Sequence, residues 1–365
     1  MIQKAITNFN WENHLANLNV NEKVQYFNEI ILNIFSNFCP SRLITCYDQE
    51  PSWYNEHIKD LIKQKNSAFL QYKINSRSNL EFNRFTESLD QLNEAIQTSK
   101  EKYYYDLSFK LNNPVTGQKK YWSILKTLNG KKIPLIPSFL VNNNFISNFT
   151  DKAKTFNEFF AEQCTHIDNG SSLPNIIPSF SDKTIDKIDL NSNDIHKIIK
   201  NLDIGKTHSY DNITVRFLKI CDVSICRPLE IIFRDSIDFF PDQWKKANIV
   251  PIHKKNEKNL VKNYRPISLL PVCGKIFERI IFNSIFNYLS TNNLLSLHQS
   301  GFRPNDSCSN QLLYITHEII SSLDKNREVR GIFLDMSKAF HKVWHQGLIF
   351  KLKTIGISGK LLSLL

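Results

Sequence analysis

The sequence lacks the features that mark secreted and membrane-spanning proteins. Its seven cysteines are odd in number, scattered, and never arranged as a Cys-x-x-Cys pair. That pattern disfavours a disulfide framework or a zinc knuckle and predicts reduced thiols. The N-terminus has no apolar signal-peptide core, and no apolar run is long enough to span a bilayer. We therefore expect an intracellular protein, cytoplasmic or nuclear, with no membrane partner.

Acidic residues are outnumbered by basic ones. The 46 Lys and Arg residues exceed the 35 Asp and Glu residues by 11, which favours phosphate-rich partners without proving them. The excess is concentrated between Trp244 and Arg265, where Glu257 is the one acid. The basic residues of this stretch are Lys245, Lys246, Lys254, Lys255, Lys258, Lys262 and Arg265. Six of the eleven net charges therefore lie within 22 residues.

Helical spacing of apolar residues dominates the first half of the chain. Residues 53–111 predict a long helical hairpin that turns near Asn75 and Ser76. Its end, EKYYYDLSFK, and the following QKKYWSILKTLNGKK interleave aromatics with lysines. Two interpretations stay open. The surface either stacks bases and holds phosphates, or the aromatics form a core face beside solvated lysines.

The middle of the chain predicts loops and further helices. The stretch IPLIPSFLVNNNFISN is expected to be a loop, and TDKAKTFNEFFAEQ a helix capped by Thr150 or Asp151. Residues 165–182 are expected to be a linker. NDIHKIIKNL predicts a helix capped by Asn193 or Asp194, followed by the loop DIGKTHSYDNIT. Residues 215–240 are expected to form one helix.

The last third alternates strand and helix patterns. ANIVPIHKK and YRPISLL predict two strands of a basic hairpin, with prolines that suit edge strands. GKIFERIIFNSIFNYL and SNQLLYITHEIISSL predict amphipathic helices. VRGIFL predicts a strand that ends at Asp335, with a helix from about Ser337 onward. Because burying an ionised carboxylate costs several kcal/mol, Asp335 is paired, exposed at the strand's tip, or bound to a metal.

Four motifs together carry a resemblance to a known family. WKKANIVPIHKK, NYRPISLLPVCGKIFERII, HQSGFRPNDSCSNQLL and GIFLDMSKAFHKVWH resemble, in order and spacing, the fingers and first palm motifs of reverse transcriptases from non-LTR (LINE-type, jockey-like) retrotransposons. The similarity covers roughly residues 240–365. Weaker matches lie upstream, including DIGKTHSYDNITVRFLKIC, which resembles the family's Gly-Pro-Asp-Gly loop but keeps only Asp211 of it.

The resemblance implies an α+β fold, with right-hand polymerase fingers and a partial palm preceded by a mainly helical linker region. The domains expected from it are a helical linker region at 1–130, a helical and loop segment at 131–235, and a truncated reverse transcriptase domain at 236–365. The implied activity is RNA-directed DNA synthesis by two-metal nucleotidyl transfer. Its partners would be an RNA template, a DNA primer, deoxynucleoside triphosphates, and Mg²⁺ or Mn²⁺ ions about 3.5–4 Å apart.

The resemblance also assigns roles to single residues. Asp335 would be the catalytic metal ligand, helped by the backbone carbonyl of Met336. Phe340 occupies the position that packs against the incoming sugar. The nucleotide's phosphates would be held by Arg265, Lys254 and Lys255 of the basic hairpin, where arginine binds phosphate bidentately and lysine acts as a point charge. Arg303, in the loop before the next helix, would contact the template.

Two departures from the family pattern bear on activity. His341 stands where the family has aspartate, and with His345 it has the i, i+4 spacing of metal ligands, although no third ligand accompanies them. No two aspartates are adjacent anywhere in the sequence, so the family's second catalytic motif is missing. We therefore expect a fragment of the polymerase that is inactive as encoded. The alternatives are a non-catalytic RNA- or DNA-binding protein derived from it, or a chain that does not fold stably.

Overall fold

The chain folds as two compact units in the computed structural model. Unit 1 comprises residues 1–41 and 136–365, and unit 2 comprises residues 42–135. The structure describes residues 1–39, 43, 50–75, 78–113, 117–128, 136–141, 144–164, 172–173, 183–336, 339–340 and 342–365. The predicted linker at 165–182 lies almost wholly outside the described residues.

Helices make up most of the described residues, and the strands form two small antiparallel sheets. The N-terminal helices are α1 (Ile2–Asn8), α2 (Trp11–Leu15) and α3 (Val20–Phe38). Unit 2 holds α4 (Glu56–Ile74), α5 (Asn79–Asn112) and α6 (Gln118–Leu128). The rest of unit 1 holds β1 (Phe139–Val141), β2 (Asn144–Ile146), α7 (Phe149–Cys164), α8 (Ser192–Asn201), α9 (Val215–Cys221), α10 (Cys226–Ser236), α11 (Asp242–Lys245), β3 (Asn248–His253), β4 (Tyr264–Leu269), α12 (Val272–Thr291), α13 (Cys308–Asp324), α14 (His345–Thr354) and α15 (Gly359–Leu364). Within the described ranges, no helix has the length and apolar character needed to cross a bilayer.

Three predictions about helix boundaries were wrong. Helix α7 begins before the expected caps, and its first turn is capped by Asn148, whose Oδ1 accepts from the Thr150 N–H at 2.8 Å. Helix α8 is capped by Asn191, whose Oδ1 accepts from the Asp194 N–H at 2.8 Å. In both cases an asparagine upstream of the expected cap supplies the acceptor. The single helix expected at 215–240 is interrupted by a 3-10 turn at Asp222–Ile225, because Asp222 adopts φ +53°.

The main core of unit 1 joins the chain's N-terminus to its last third. Phe27 and Ile31 of α3 pack in one hydrophobic cluster with Phe233 of α10, Phe277 of α12 and Leu361 of α15. Helix α3 carries its buried residues at helical spacing, and its N-terminus is closed by a capping box between Asn19 and Glu22. Residues 1–38 are therefore a structural part of the unit that contains the basic hairpin.

A second, aromatic cluster lies beneath the basic hairpin. Phe139, Phe156, Phe160 and Tyr264 are buried together, and the rings of Phe139 and Tyr264 meet edge to face at 6.0 Å. The loop expected at 133–148 was therefore wrong in part, because β1 and β2 form a short hairpin there. The buried Phe139 ring supplies the tertiary contact that a loop prediction omits.

The last residues of the chain pack back on the segment before α8. Ile185 and Ile357 form a parallel bridge, and Ile357 is fully buried. Gly356 adopts φ +95°, and a Cβ there would lie 2.4 Å from the Lys183 carbonyl oxygen and 2.3 Å from the Tyr288 hydroxyl. Only glycine fits this close backbone approach.

The segment around Asp335 differs from its prediction. Residues 329–334 form no strand, and Ile332, Phe333 and Leu334 are almost completely exposed, Phe333 at 95%. A strand requires a hydrogen-bonded neighbour, and no other strand of the described chain lies alongside it. The helix expected from about Ser337 begins instead at His345. Ser337 itself lies outside the described residues.

Unit 2 confirms the predicted helical hairpin. Helices α4 and α5 are joined through a turn at Asn75, and Ile58, Leu61 and Leu92 form their shared core. Ring pairs extend the contact along both helices, between Phe69 and Phe85 at 5.2 Å and between Tyr72 and Phe82 at 5.5 Å. The domain boundaries expected at 130 and 235 come from the family resemblance, whereas the two units are defined by their compactness. Those boundaries therefore stay a prediction.

Candidate nucleic-acid and nucleotide site

The basic hairpin forms as the sequence predicts. Strands β3 and β4 pair antiparallel over six residues each, with Pro251 opposite Pro266 and Ile252 opposite Arg265. Neither proline has an N–H to donate. Because the sheet has only two strands, each strand is an edge, where proline is tolerated. The register places Arg265 on an exposed part of β4.

The connection between the two strands is fixed by hydrogen bonds to the start of β4. The Tyr264 hydroxyl donates to the Lys258 carbonyl oxygen at 2.7 Å, and the Lys254 N–H donates to the Asn263 carbonyl oxygen at 2.8 Å. Burial of its ring in the aromatic cluster raises the pKa of Tyr264. The hairpin is thus held by its backbone and by polar contacts that include Tyr264 and Asn263, whose Nδ2 donates to the Glu257 carbonyl oxygen at 2.8 Å. Lys254, Lys255 and Arg265 stay on the surface.

The predicted nucleotide-binding cations are exposed. Lys254, Lys255 and Arg265 all lie on the surface, and none of the ion pairs in the described residues involves them. An unpaired exposed cation keeps its charge available for an anion. The structure places the three on one hairpin, with Lys254 and Lys255 just past the end of β3.

A cleft of about 820 Å³ opens beside the end of β4. Strand β4 contributes Ile267, Ser268 and Leu269, while α12 contributes Lys275 and Arg279. The loop after α8 and the loop before α13 complete the lining with Lys206, Thr207 and Phe302, among others. Three cations and one acid, Glu278, line the cleft, so it has a net positive charge.

The loop that resembles the family's Gly-Pro-Asp-Gly segment is tied to the same place. Ser209 is buried, and its hydroxyl donates to the Leu269 carbonyl oxygen at 2.7 Å. The Tyr210 hydroxyl donates to the Gln243 carbonyl oxygen at 2.5 Å. Partial burial raises the pKa of Asp211, although the Ile213 N–H donates to its carboxylate at 3.3 Å. These contacts fix the loop, and Lys206 with it, against the hairpin's second strand.

The cleft cations were missed by sequence reasoning. Lys275 and Arg279 are spaced i, i+4 on α12, and they lie on the face opposite the buried Phe277. That spacing could have identified them, since two cations one helical turn apart beside a basic hairpin reinforce one another. Lys206 gave no comparable signal, because only the fold brings its loop to β4.

Arg303 and Phe340 lie at the edge of this region. One Nη of Arg303 donates to the Ser296 carbonyl oxygen at 2.7 Å, and its Nε is buried without a hydrogen-bond partner among the described residues. Arg303 thus holds its own loop together. Phe340 is exposed, and its ring meets the Phe302 ring edge to face at 5.9 Å. Since Phe302 lines the cleft, the structure brings Phe340 close to the cleft cations.

Asp335 lies in no metal-binding cluster of the described residues. Asp335 and Met336 are both exposed, and across the described residues no three His, Cys, Asp or Glu side chains are grouped to hold a metal. The predicted i, i+4 pair includes His341, which lies outside the described residues. The predicted metal ligands therefore remain one carboxylate and one backbone carbonyl, as the sequence alone had them.

Comparison with known proteins agrees with the resemblance. A family model described as reverse transcriptase (RNA-dependent DNA polymerase) matches residues 252–365. The chain is 26% identical over 279 residues to a probable RNA-directed DNA polymerase from transposon BS of Drosophila melanogaster, covering 73% of this chain and 30% of the relative. It is 32% identical over 165 residues to the RNA-directed DNA polymerase from the mobile element jockey of the same species, covering 44% and 18%.

A third relative repeats the pattern over a shorter span. The probable RNA-directed DNA polymerase from transposon X-element of Drosophila melanogaster is 37% identical over 118 residues, which is 32% of this chain and 13% of the relative. The chain thus spans less than a third of the length of each of these relatives. The predicted resemblance is confirmed: residues 252–365 match the reverse transcriptase family model, and the chain is similar to the RNA-directed DNA polymerases of these mobile elements.

Proposed function

We propose that this chain is a fragment of an RNA-directed DNA polymerase and that it contributes the fingers and the first part of a right-hand palm. The observation that carries the proposal is the coincidence of the matched region with a basic hairpin and a positively lined cleft. Exposed lysine and arginine side chains bind phosphates. The partners would be an RNA template, a DNA primer and deoxynucleoside triphosphates.

Each residue of the site has a proposed role. Arg265, Lys254 and Lys255 would hold the triphosphate from the hairpin, and Phe340 would pack against the sugar. Arg303 would act near the template, through the loop that it holds together. We add Lys275 and Arg279 of the cleft as phosphate-binding residues, because they line the open space between β4 and Phe302.

The metal site fits this structure only in part. Asp335 and the Met336 carbonyl would offer oxygen ligands to Mg²⁺ or Mn²⁺, which the family is expected to need. Magnesium prefers six oxygens, usually with more than one carboxylate, and the part of the chain that the structure describes has no group of three His, Cys, Asp or Glu side chains that could hold a metal. The donors present therefore do not form a two-metal centre, and no chemical step is assigned to them.

A direct test measures binding and synthesis in the same preparation. Residues 1–365 should bind single-stranded RNA with an affinity that falls steeply with salt, and should not extend an annealed DNA primer with Mg²⁺ or Mn²⁺. Lys254→Gln combined with Lys255→Gln and Arg265→Gln should flatten the slope of log affinity against log salt by about 0.7 for each RNA phosphate that is no longer neutralised. Template-dependent extension that Asp335→Ala abolishes would contradict the inactive assignment.

The control for this test removes the same charge elsewhere. Lys4, Lys325 and Lys351 are exposed and lie outside both the hairpin and the cleft. Changing all three to glutamine should leave most of the salt dependence in place. If the hairpin and control variants bind RNA equally, the binding reflects net charge alone, and the proposed role of the hairpin is wrong.

A second function is favoured by the same surface. A protein that retained the hairpin and cleft while serving no catalytic role would bind RNA or DNA through its phosphates. The exposed, unpaired hairpin cations support this alternative as well as the first. The two differ in nucleotide binding: a polymerase fragment should bind a deoxynucleoside triphosphate more weakly after Arg265→Gln, whereas a plain RNA-binding protein should show no such site.

A further inference from the structure

The end of α5 and the adjoining α6 expose an unusual number of aromatic rings. Tyr104, Tyr105, Phe109, Tyr121 and Trp122 are exposed by 39% to 71%. Helix α6 contacts α5, and the buried residues of this end are aliphatic, Leu107 and Ile124. The interpretation of these rings as a core face is therefore wrong. At the other end of the hairpin, rings of α4 pack against rings of α5, Phe69 on Phe85 and Tyr72 on Phe82, whereas Tyr121 and Trp122 pair within α6.

Charge separates the two ends as well. Residues 56–94 contain six basic and six acidic residues, whereas residues 100–126 contain six lysines and two acids. In the first region cations pair with neighbouring acids, as in Lys63 with Asp60 at 2.9 Å and Arg84 with Glu81 at 2.9 Å. For Lys102 and Lys120 no ion pair is present among the described residues. The excess positive charge therefore coincides with the exposed rings.

We propose that this aromatic–lysine surface of unit 2, formed by residues 100–112 of α5 and 120–126 of α6, binds single-stranded nucleic acid. Tyr105 and Phe109 are spaced i, i+4 and share one face of α5. The rings of Tyr121 and Trp122 meet edge to face at 5.8 Å on α6. Exposed rings offer stacking platforms for bases, and interleaved lysines neutralise the phosphates between them. This surface lies outside the matched residues 252–365 and goes beyond the proposed function.

The physical alternatives fit less well. An apolar protein partner would contact the rings but would leave four net positive charges on 27 residues without a counter-charge. An acidic peptide would use the lysines but would not need five exposed rings. Single-stranded RNA or DNA uses both features at once. Duplex nucleic acid is disfavoured, because its bases are already stacked on one another.

The test must separate this surface from the basic hairpin. In the full chain, Lys254→Gln with Lys255→Gln and Arg265→Gln lowers the hairpin's positive charge by three. Any further loss in the binding of a fluorescent 12-nucleotide oligouridylate, caused by changes in α5 and α6, then reports the surface of unit 2. In that background, Tyr105→Ala with Phe109→Ala and Trp122→Ala should weaken binding about tenfold or more. Binding that stays unchanged would overturn the proposal, whatever the hairpin variants show.

Two matched sets of variants distinguish stacking from folding. Tyr105→Phe with Phe109→Tyr and Trp122→Phe keeps every ring and should retain most of the affinity. Leu70→Ala with Ile74→Ala and Leu80→Ala removes exposed apolar side chains elsewhere in unit 2 and should change nothing. If the ring-retaining variant also loses binding, or if the Leu70 set loses as much, stacking on this surface is wrong.

Photocrosslinking locates the contact directly. An oligonucleotide carrying 5-iodouridine should crosslink to peptides that contain Tyr105 or Trp122, and an oligodeoxyuridylate should do the same if the surface reads stacking rather than the 2′-hydroxyl. Crosslinks confined to residues 245–265 would overturn the proposal while leaving the hairpin's role intact. Complete displacement by polyglutamate together with no crosslink to α5 or α6 would indicate an acidic peptide site instead.

Discussion

Two helices of the matched region, α12 and α13, have similar apolar character and opposite surroundings. Helix α12 buries seven residues in the main core of unit 1, whereas none of the residues of α13 is buried. On α13 seven large apolar side chains stay exposed, including Leu313 at 77%. Periodicity predicted both helices, but only the presence of a packing partner decides whether an apolar face is covered.

The partner of α12 can be named residue by residue. The Phe277 ring stacks on Phe233 at 5.2 Å and lies 5.9 Å from the Trp244 ring. Gly274 lets the indole approach, since a Cβ there would lie 3.1 Å from two Trp244 side-chain atoms. Within the residues that the structure describes, α13 instead contacts the loop before it: the His298 ring lies 6.3 Å from the Tyr314 ring, and the Ser300 hydroxyl donates to Gln311 Oε1. Its first turn is capped by Ser307, whose hydroxyl accepts from the Asn310 N–H.

The largest expected effect comes from removing the ring that anchors α12. Phe277→Ala should lower the free energy of unfolding by about 3–5 kcal/mol, because it leaves a cavity among fully buried aromatics. Urea unfolding followed by tryptophan fluorescence measures this change. The matched variant Phe302→Ala removes the same ring from an 83% exposed site and should cost less than about 0.5 kcal/mol. Equal losses would mean that the stabilisation by Phe277 does not come from the burial of its ring.

Local features of the fold could largely be predicted from the sequence. The helical hairpin, the two strands of the basic hairpin and the helices α12 and α13 follow from periodicity and turn residues. What failed needed tertiary information. The strand predicted before Asp335 does not form, because no strand of the described residues lies alongside it. The hairpin of β1 and β2 depends on the burial of Phe139. The break at Asp222 depends on a backbone angle that no periodicity contains.

The candidate site divides in the same way. The hairpin that carries Arg265, Lys254 and Lys255 could be predicted from the sequence, and β3 and β4 form it. Lys206 could not, because it reaches the cleft only through the contact of Ser209 with Leu269. The roles of Asp335, Met336 and Arg303 stay predictions, since the described residues gather no metal ligands around Asp335 and Arg303 contacts its own loop.

A smaller effect tests where the chain's last residues join the core. Gly356→Ala should lower the free energy of unfolding by about 2–3 kcal/mol, because φ +95° is strained for alanine and its Cβ would overlap the Lys183 carbonyl oxygen. Gly301→Ala is the control, since a Cβ there meets no atom within 4 Å. Thermal melting of both variants measures the difference. A tolerated Gly356→Ala would mean that residues 355–365 do not pack on residues 183–190.

The next effect concerns a buried acid of the main core. Burial alone would raise the pKa of Glu230, but the Ser192 hydroxyl and the Arg234 and Arg227 guanidiniums outweigh it and lower that pKa below its ordinary 4.5. Its stabilising contribution is therefore present above about pH 4.5 and is lost as pH falls through the lower folded pKa. Glu230→Gln should cost about 2 kcal/mol at pH 7 and less near pH 3.

The control for this pH dependence lies on the exposed helix. Glu318 of α13 is exposed, so Glu318→Gln should change stability by less than about 0.5 kcal/mol at either pH. Urea midpoints measured at pH 7 and pH 3 give the comparison. A Glu230→Gln penalty that is as large at pH 3 as at pH 7 would mean that poorer packing, rather than the missing charge, causes it.

The smallest expected effect on stability concerns the exposed apolar face of α13. Leu313→Gln with Ile320→Gln on α13 replaces two exposed apolar side chains and should change the free energy of unfolding by less than about 0.5 kcal/mol. Binding of a hydrophobic dye should nevertheless fall, because contiguous exposed apolar surface is what such dyes detect. A loss of stability near that of Phe277→Ala would mean that α13 is covered in solution. The apolar faces of α12 and α13 would then both be packed against a partner, and the contrast between the two helices would be wrong.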